Sequence, residues 1–558
     1  MKNFEKKTFA AIIPDIVAKY SNNPALGFID EKPITYSEMF NKIEAVIALI
    51  ENMKINSGDR VVILSQNMPN WGITYFALQF MGLVVVPVLP DFNEHELQNV
   101  LNHSESKAIF VSQNLEYKLD SIDKKYIETI IRIDDFSVIQ SSYHDLFFDS
   151  EAKPAKEYNT NEDKLAILLY TSGTTGDSKG VMLSQKNVIY NAVQSGNVQE
   201  IFSDDRFLSV LPLAHTYENT IGFILPILCG ASVTYLRKPP TSSVLLPALK
   251  KVKPTFMLTV PMIIEKVYRS SIMPEINKKF ITKFLHKFTL TRKLLYHLAG
   301  KKLYQTFGGH LKFFGIGGAK LDATVERFLR DAKFPYAIGY GLTETSPLLA
   351  GANASKTRYQ AIGPKVIDCE VIINNPDSVT GEGEIWAKGP NVMLGYYKNP
   401  EKTKEVMTED GWFKTGDLGV YDKDGWLTHK GRLKNLIVGA NGENIYPEEI
   451  ESVINNFKHV VESIVIEKKG KLVAMVHFNK EELEYKIKTM ATDFSNKVDS
   501  KFEDFSNKVD EIIKELAQEL HNYVNSRVNK YSRIQMLEIH NKPFKKTATK
   551  KIKRYMYN

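Results

Sequence analysis

The chain has 558 residues, of which 43% are hydrophobic and 25% are charged, with a formal net charge of +7. These values are ordinary for a globular protein, and the length predicts two or more domains. Two cysteines, Cys229 and Cys369, exclude a disulfide framework and have no metal-ligand spacing, which favours a reducing, cytoplasmic location. The amino-terminal segment has no small-residue cleavage site, so it does not predict a signal peptide.

Strands and helices are predicted to alternate through the first four-fifths of the chain. Short apolar runs predict strands, and longer mixed runs predict helices. The predicted strands are 60–64, 84–88, 108–111, 255–260, 311–316 and 337–340, and the predicted helices include 71–81 and 94–101. This alternation predicts an α/β fold with mostly parallel sheets covered by helices, in which ligands bind at the carboxyl ends of strands.

The segment from Val61 to Pro90 contains no charged residue. A membrane-spanning helix is one interpretation of such a run. Pro69, Gly72 and Gly82 interrupt it, however, and the β-branched run 84–88 is typical of a strand. The favoured prediction is therefore a strand, a buried helix and a second strand.

Residues 170–180 form the most informative motif, Tyr-Thr-Ser-Gly-Thr-Thr-Gly-Asp-Ser-Lys-Gly. The apolar run 165–170 predicts a strand before it, and the mixed segment 181–193 predicts a helix after it. Glycines, hydroxyls and one lysine in such a loop suit a polyphosphate. The spacing is not that of a P-loop. A flexible linker is the alternative, which the flanking elements disfavour.

The segment 278–302 is rich in Lys and Arg and contains no acidic residue. Apolar residues are interleaved with the charges, at Phe280, Phe284, Leu285, Phe288, Leu294 and Leu295. One interpretation is a basic amphipathic helix that contacts an anionic membrane surface. The favoured interpretation is a solvated helix whose apolar side lies in the core.

A domain boundary is predicted near Gly431-Arg432-Leu433-Lys434, giving domains 1–433 and 434–558. The second domain contains a perfect repeat, Asp-Phe-Ser-Asn-Lys-Val-Asp at 493–499 and 504–510, inside a helical insertion of about 484–530. A stripe continues on one helix face, at Phe494, Val498, Phe502, Phe505, Val509, Ile512, Leu516, Leu520 and Val524. An unbroken helix would be roughly 50 Å long, so it should break or project. An inactive helical insertion is favoured over a partner-binding coiled coil.

Five further motifs carry chemically useful groups. The segment 211–218 offers an imidazole beside an aromatic ring, and 315–319 offers glycine backbone at a strand end. The segment 339–345 combines an aromatic ring, a hydroxyl and a carboxylate. An acid follows a tight turn at 412–417, as a ribose-diol clamp requires, and 545–552 is a dense cationic tail. Singly these signals are weak, since a lone histidine is usually a core residue and a lysine-rich terminus is usually a solvated tail.

Taken in this order, the motifs resemble the adenylate-forming (AMP-binding) enzymes, the superfamily of acyl-CoA synthetases, luciferases and peptide-synthetase adenylation domains. The likeness covers nearly the whole chain. Leu-Pro-Leu-Ala-His-Thr-Tyr-Glu at 211–218 and Thr-x-Thr-x-Lys-Ile-Lys-Arg at 547–554 are most similar to the long-chain fatty acid–CoA ligase branch. The resemblance implies a large N-terminal α/β domain and a smaller, mobile α+β C-terminal lid. It also implies ATP-dependent activation of a medium- or long-chain fatty acid to acyl-AMP, followed by transfer to CoA.

The resemblance implies roles for the motif residues in adenylation. The β- and γ-phosphates of ATP would be held by Thr171, Ser172, Gly173, Thr174, Thr175, Gly176 and Lys179. Glu344 would bind Mg²⁺, which prefers carboxylate oxygen, and Thr343 would contact the α-phosphate. Adenine would stack on Tyr340 opposite Gly318 and Ala319, and the ribose hydroxyls would be clamped by Asp417 and Arg432. His215 would lie near the substrate carboxylate, and Lys551 would neutralise charge at the α-phosphate.

Transfer to CoA implies a different arrangement of the two domains. Lys434 occupies the hinge position, and Gly442 would let the pantetheine arm pass close to the backbone. Two departures from the family pattern are Ser178, where proline is usual, and Lys550, where glycine is common. The segment 278–302 is shorter than in many long-chain members, which leaves the acyl-chain length open.

Alternatives remain at this level. The acceptor could be a carrier-protein thiol instead of CoA, and a non-catalytic acyl- or nucleotide-binding protein is a rival from another class. A luciferase-like oxidation is neither required nor excluded. The expected partner is a fatty acid, with no nucleic acid, while a homodimer and peripheral membrane contact stay open.

Overall fold

The structure is a computed structural model that describes residues 4–172, 178–439, 443–484, 502–547 and 552–557. The side chains of Ser172, Ser178 and residues 502–508 lie outside this description. The protein is built on two eight-stranded sheets, here called sheet A and sheet B, with a four-stranded sheet C and a three-stranded sheet D later in the chain.

Sheet A has parallel central strands and an antiparallel strand at each edge. Its strands in spatial order are Leu348–Gly351, Tyr336–Gly341, Phe313–Ile316, Phe256–Thr259, Arg206–Ser209, Ser232–Tyr235, Pro24–Phe28 and Ile34–Thr35. The predicted strands 255–260, 311–316 and 337–340 all lie in this sheet, each within two residues of the observed bounds.

Sheet B also has a parallel centre. Its strands in spatial order are Gly395–Tyr396, Ser178–Ser184, Leu165–Ser172, Val84–Val88, Arg60–Leu64, Ala108–Val111, Thr129–Arg132 and Val138–Ser141. Arg60–Leu64, the helix Pro69–Phe80 and Val84–Val88 confirm the strand–helix–strand prediction for the uncharged segment. Among the described helices, none is both long and apolar enough to cross a bilayer.

Helices cover the sheets. Those described before residue 433 are Phe9–Tyr20, Tyr36–Glu51, Pro69–Phe80, Glu94–Ser104, Gln185–Val198, Leu225–Cys229, Ser242–Val252, Pro261–Val267, Met273–Asn277, Phe280–Leu285, Thr289–Thr306, Ala323–Asp331 and Pro400–Val406. Wide helical turns span Tyr217–Ile224 and Tyr268–Ile272, and tight ones span Gln113–Leu119 and Thr343–Thr345.

Both faces of each large sheet are buried, which explains the continuous apolar strands. Successive residues of a strand point to opposite faces. In sheet B, Val61 and Ile63 face the core shared with sheet A, whereas Val62 and Leu64 face a second core under the helix Glu94–Ser104. A third core lies on the outer face of sheet A. Within each large sheet, the carboxyl ends of the parallel strands meet at one edge.

The prediction of a helix at 181–193 is wrong at its beginning. Residues 178–184 form a strand antiparallel to Leu165–Ser172, and the helix starts only at Gln185. Ser184 caps it: its hydroxyl accepts a hydrogen bond from the Asn187 backbone N–H at 3.1 Å, and the Asn187 side chain accepts one from the Ser184 N–H at 2.8 Å. The motif loop therefore joins two strands of a hairpin, not a strand and a helix.

The remaining described elements follow residue 366. Sheet C is antiparallel and contains Glu370–Asn374, Gly383–Lys388, Phe413–Tyr421 and Leu427–Arg432. Next come the turn Leu433–Asn435 and a short hairpin of Ile437–Val438 and Asn444–Ile445. Sheet D contains Val460–Lys468, Lys471–Phe478 and Met536–Ile539, and it packs with the helices Pro447–Asn455 and Phe502–Asn525. The tight turn Arg554–Met556 is the last described element.

The predicted helical stripe packs inward in its described part. Val509, Leu516, Leu520 and Val524 are buried in the core of sheet D. The first repeat copy, 493–499, and the side chains of 504–508 lie outside the described residues. The described part of this helix thus belongs to the C-terminal core.

The favoured interpretation of 278–302, with its apolar side in the core, is wrong for most of its apolar residues. The segment forms the helices Phe280–Leu285 and Thr289–Thr306. Phe280 is 84% exposed, and Phe284, Phe288 and Leu294 are at least 50% exposed. Only Leu285 and Leu295 of the predicted set are half-buried.

Candidate active site

The motifs of sheet A meet at its carboxyl edge. Phe313–Ile316 and Tyr336–Gly341 are parallel neighbours, so Gly318 after the first strand and Thr343 after the second lie along the same edge. His215 follows the strand Arg206–Ser209 of the same sheet, and its Nδ1 lies 3.3 Å from the Tyr217 backbone N–H. Three motifs that are distant in sequence therefore border one cleft.

Neighbouring atoms leave little room for a side chain at two glycines of this edge. A Cβ on Gly341 would lie 1.8 Å from the Pro347 carbonyl oxygen. A Cβ on Gly315 would lie 2.9 Å from the Tyr217 hydroxyl. Gly318 and Ala319 stay exposed beyond them, which leaves backbone available to a flat ligand.

A second group of side chains centres on Asp417, which is 2% exposed. Tyr340 donates a hydrogen bond from its hydroxyl to Asp417 Oδ2 at 2.8 Å. Arg432 Nε lies 2.8 Å from Oδ1, because Asp417 and Arg432 are paired across two strands of sheet C. His429 Nε2 lies 3.5 Å from Oδ1, and its ring lies 5.6 Å from that of Tyr340. Tyr340, predicted to contact adenine, is thus in direct contact with Asp417, predicted to contact the ribose.

Asp417 is held ionised at this position. Burial acts to raise its pKa, but His429 and the Arg432 guanidinium outweigh burial and hold the pKa below its ordinary value. Within the described part of the chain, no donor makes a well-aligned hydrogen bond to Oδ1. A buried carboxylate oxygen in this state is suited to accept a hydrogen bond from a ligand hydroxyl.

A third group joins the motif hairpin to Glu344. The short strand Gly395–Tyr396 pairs with Val181 and Met182 of the hairpin. Tyr396 therefore lies between Glu344 and Lys179. Its hydroxyl donates a hydrogen bond to Glu344 Oε1 at 2.9 Å, and Lys179 Nζ lies 5.3 Å from its ring centroid. Lys179 and Glu344, which are far apart in sequence, meet around this tyrosine.

The surroundings of Lys179 contain the cations Lys402 and Lys434 as well as the acids Glu344 and Glu405. Burial, followed by the nearby charges of Lys402 and Lys434, lowers the pKa of Lys179. An anionic ligand beside these groups would relieve their mutual repulsion. Thr171, the hairpin partner of Lys179, lies directly across the two strands. The arrangement suits a phosphate chain beside Thr171 and Lys179.

An apolar pocket adjoins the carboxyl edge of sheet A. Tyr217, Gly315 and Gly339 line it near that edge. Farther from the edge, the pocket is lined by Ile201, Phe207 and Phe313. The ring of Phe256 stacks between those of Phe207 and Phe313, with centroid separations of 4.8 and 5.6 Å. An aliphatic chain could lie here with its polar end at the cleft.

The structure leaves part of the predicted site undescribed. Gly173, Thr174, Thr175, Gly176, Gly442 and Lys551 lie outside the described residues. Lys434 is exposed in the turn Leu433–Asn435. The predicted roles of these residues remain predictions.

Sequence reasoning missed Tyr396 and His429. The Gly-Tyr-Tyr segment at 395–397 carries little signal on its own, and a lone histidine in a strand is usually structural. The only available hint was proximity in sequence, since His429 lies three residues before Arg432 on one strand. The pairing of distant strands gives both residues their place.

Comparison with known proteins identifies the family of the chain. The model of the AMP-binding enzyme family matches residues 14–397, so the chain belongs to the AMP-binding enzymes. Fatty acyl-CoA synthetase A of Dictyostelium discoideum is 30% identical over 468 residues, covering 76% of this chain and 68% of that protein. Long-chain-fatty-acid–CoA ligase 1 of Saccharomyces cerevisiae is also 30% identical over 468 residues, covering 73% of this chain and 66% of that protein.

Solved structures share the fold over nearly the whole chain. ATP-bound MatB from Rhodopseudomonas palustris superposes with a TM-score of 0.75 at 23% identity, covering 98% of each chain. O-succinylbenzoate coenzyme A synthetase from Bacillus subtilis, in complex with ATP and magnesium ion, gives 0.73 at 22% identity, covering 97% of this chain and 98% of that one. These likenesses confirm the predicted fold class: a large N-terminal α/β part followed by a smaller C-terminal part.

Proposed function

We propose that this protein is an AMP-forming fatty acid–CoA ligase that activates a medium- or long-chain fatty acid. The observation that carries the proposal is the apolar pocket, whose lining residue Gly339 lies next to Tyr340 on the strand that leads to Glu344. Tyr340 contacts Asp417, and Glu344 is joined to the Lys179 group through Tyr396. The relatives from Dictyostelium and yeast are a fatty acyl-CoA synthetase and a long-chain-fatty-acid–CoA ligase by name. An acyl chain in the pocket would direct its carboxylate towards the nucleotide.

In the first step, the fatty acid carboxylate oxygen attacks the α-phosphorus of ATP, and the bond to the β-phosphate oxygen breaks to release pyrophosphate. Asp417 would accept hydrogen bonds from the ribose hydroxyls, while Tyr340 would lie beside the base. Lys179 and the hairpin tip would hold the leaving pyrophosphate, and Thr343 would contact the α-phosphate. Such a reaction depends mainly on positioning and electrostatic stabilisation.

The residues present fit a magnesium ion held mainly by the substrate. In the described residues no cluster of three or more His, Cys, Asp or Glu side chains could hold a metal. Glu344 is the predicted ligand, and Mg²⁺ is commonly bound by one or two carboxylates together with substrate phosphates and water. When bound, the ion would neutralise charge on the phosphate oxygens. Tyr396 keeps the Glu344 carboxylate oriented towards the hairpin.

In the second step, the sulfur of CoA attacks the acyl carbonyl carbon and AMP leaves. The predicted division into domains 1–433 and 434–558 places the hinge at Lys434. Rotation of the C-terminal domain about it would withdraw Lys551 and bring the segment with Gly442 towards the acyl-adenylate. Rotation about a terminal-loop residue is a well-known kind of conformational switch.

The proposal is tested by pyrophosphate release and thioester formation with fatty acids of increasing length. We expect ATP-, Mg²⁺- and fatty-acid-dependent pyrophosphate release, with thioester formed on CoA. Thioester formed only on holo acyl carrier protein would instead support the carrier-protein ligase. Absence of pyrophosphate release with every fatty acid would leave only a binding function.

Replacing Lys551 tests the two half-reactions separately. Lys551→Ala should lower acyl-adenylate formation by about a hundredfold or more, because a cation at the transferring phosphate is lost. The same variant should still convert supplied acyl-adenylate to the CoA thioester. A bulky residue at position 442 should instead slow thioester formation and leave acyl-adenylate formation unchanged. Equal loss of both half-reactions in Lys551→Ala would contradict this assignment.

A further inference from the structure

An exposed apolar surface lies on the two helices at 280–306. It consists of Phe280, Ile281, Phe284, Phe288, Leu290, Leu294 and Leu298, here called the 280–298 patch, and each of these residues is at least 50% exposed. Leu290, Leu294 and Leu298 follow one another at four-residue spacing, so they share one face of the helix Thr289–Thr306. The rings of Phe284 and Phe288 lie 5.3 Å apart and join the two helices. The patch therefore includes residues of both helices and of the turn between them.

The patch is not the inner face of its helix. Tyr296, Gly300 and Leu303 form the buried face. The Tyr296 hydroxyl lies 2.9 Å from both the Tyr268 hydroxyl and His286 Nε2, and a Cβ on Gly300 would lie 2.4 Å from the Ala332 Cβ. The helix is thus fastened to the outer core of sheet A by one apolar face, while a second apolar face points outward.

Basic side chains surround the patch. Lys278, Lys279, Lys283, Lys287 and Lys293 are exposed, and no salt bridge joins them to a carboxylate within the described ranges. No Asp or Glu occurs between Glu275 and Asp322 in the sequence. Lys302 is paired with Glu275 at 2.8 Å, at the margin of this region. The region as a whole carries a net positive charge.

These two properties together favour a lipid surface over a protein partner. The cores of protein interfaces are depleted in lysine. A second copy of this chain placed symmetrically on the patch would bring lysine against lysine, and like charges repel. A bilayer with anionic headgroups instead accepts exposed Phe and Leu at its interface and attracts the surrounding lysines.

We propose that the 280–298 patch docks the protein on the surface of an anionic phospholipid bilayer. The apolar side chains insert at the headgroup boundary, and the lysines remain at the level of the phosphates. The helices lie on the bilayer and do not cross it. The docking is independent of the adenylation chemistry and goes beyond the proposed ligase activity.

The test is sedimentation of the purified full chain with vesicles of phosphatidylcholine alone or mixed with phosphatidylglycerol. We expect binding to the mixed vesicles to exceed binding to phosphatidylcholine by about tenfold or more. Raising the salt to about 1 M, where the Debye length is about 3 Å, should weaken it. Equal binding to both vesicle types, or none to either, would overturn the proposal.

A triple variant, Phe280→Ser, Phe284→Ser and Leu294→Ser, should reduce binding to the mixed vesicles about tenfold. The control is Phe147→Ser with Val379→Ser, which changes residues that are 70% and 90% exposed elsewhere and should bind as the wild type does. Thermal unfolding of all three proteins checks folding. Unchanged binding by the triple variant would contradict the proposal, as would light scattering that shows the patch joining two copies of the chain.

Discussion

Asp417 shows how single residues acquire a role from cross-strand pairing. One oxygen of its carboxylate accepts a hydrogen bond from the Tyr340 hydroxyl, and the other lies close to Arg432 and His429. The family resemblance predicted that Asp417 and Arg432 act together, and their direct cross-strand pairing agrees with this. The contacts with Tyr340 and His429 could not be predicted, since they depend on how sheet C packs beside sheet A.

Replacing Asp417 with Asn should raise the KM for ATP by about 10- to 100-fold, because a hydrogen bond to a charged group contributes about 1.5–3 kcal/mol. The measurement is pyrophosphate release at varied ATP concentration. Asp422→Asn is the control, since Asp422 pairs with Arg358 at 2.9 Å on the surface and its loss should leave the KM unchanged. An unchanged KM in Asp417→Asn would exclude Asp417 from the nucleotide site.

Glu218 is a second residue whose state is decided by its surroundings. It is 1% exposed, and its Oε2 has no hydrogen-bond partner in the described part of the chain. Burial raises the pKa of Glu218 from 4.5 to about 8. The folded protein therefore holds this carboxyl protonated near neutral pH. The stability contributed by the protonated Glu218 carboxyl is fully present below the unfolded pKa of 4.5. It is lost as the pH rises through the folded pKa of about 8.

Glu218→Gln should remove this dependence, because the amide stays neutral at every pH. Between about pH 4.5 and about pH 8, the variant should gain stability over the wild type by up to about 1.4 kcal/mol per pH unit. Denaturant unfolding of both proteins at the two ends of this range measures the difference. If both proteins lose the same stability across the range, Glu218 is not the titrating group.

At the scale of elements, the second strand of the hairpin formed by Leu165–Ser172 and Ser178–Ser184 was not predicted. Residues 181–184 mix apolar and polar side chains in a way that also fits a helix. They form a strand because they pair on both sides, with Leu165–Ser172 and with Gly395–Tyr396. The second pairing partner lies more than 200 residues away along the chain, so no local pattern could reveal it.

Tyr396→Phe tests what this pairing does for the site. The change removes the hydroxyl that holds Glu344 and keeps the ring beside Lys179. We expect kcat to fall about fivefold, since one net hydrogen bond contributes about 1 kcal/mol. The Mg²⁺ concentration for half-maximal rate should rise, while the KM for fatty acid stays the same.

The matched control is Tyr397→Phe, whose ring packs 5.5 Å from that of His103. It should leave both kcat and the Mg²⁺ dependence near the wild-type values. If Tyr396→Phe changes only the KM for fatty acid, then the tyrosine belongs to the acyl pocket and not to the phosphate site.

At the scale of the whole molecule, the C-terminal elements have hydrophobic cores of their own. The residues of sheet D and its helices form clusters separate from those of sheets A and B. Contacts between the two parts include polar ones: Lys320 pairs with Glu449 at 3.0 Å, and Asp322 contacts Ser452 and Asn456. Polar contacts of this kind are typical of interfaces that allow domains to move.

Separate cores predict separate unfolding. Leu520→Ala removes a side chain that is 0% exposed in the C-terminal core, which should cost that core about 2–5 kcal/mol. Calorimetry should show one transition moving to lower temperature while the transition of the larger part stays in place. Val379→Ala, at a residue that is 90% exposed, is the control. A single transition that shifts as a whole would mean that the two parts unfold as one unit.

The sequence by itself determined the α/β class, seven strands of the two large sheets and the motif residues. Each of these follows from a short stretch of chain, because an apolar run forms a strand buried on both faces and the residue types of a motif indicate its chemistry. Only the tertiary structure decided the second strand of the motif hairpin, the places of Tyr396 and His429, and the exposure of the 280–298 patch. Each of these depends on which distant segment pairs with a strand or covers a helix face, and the local sequence does not indicate that segment.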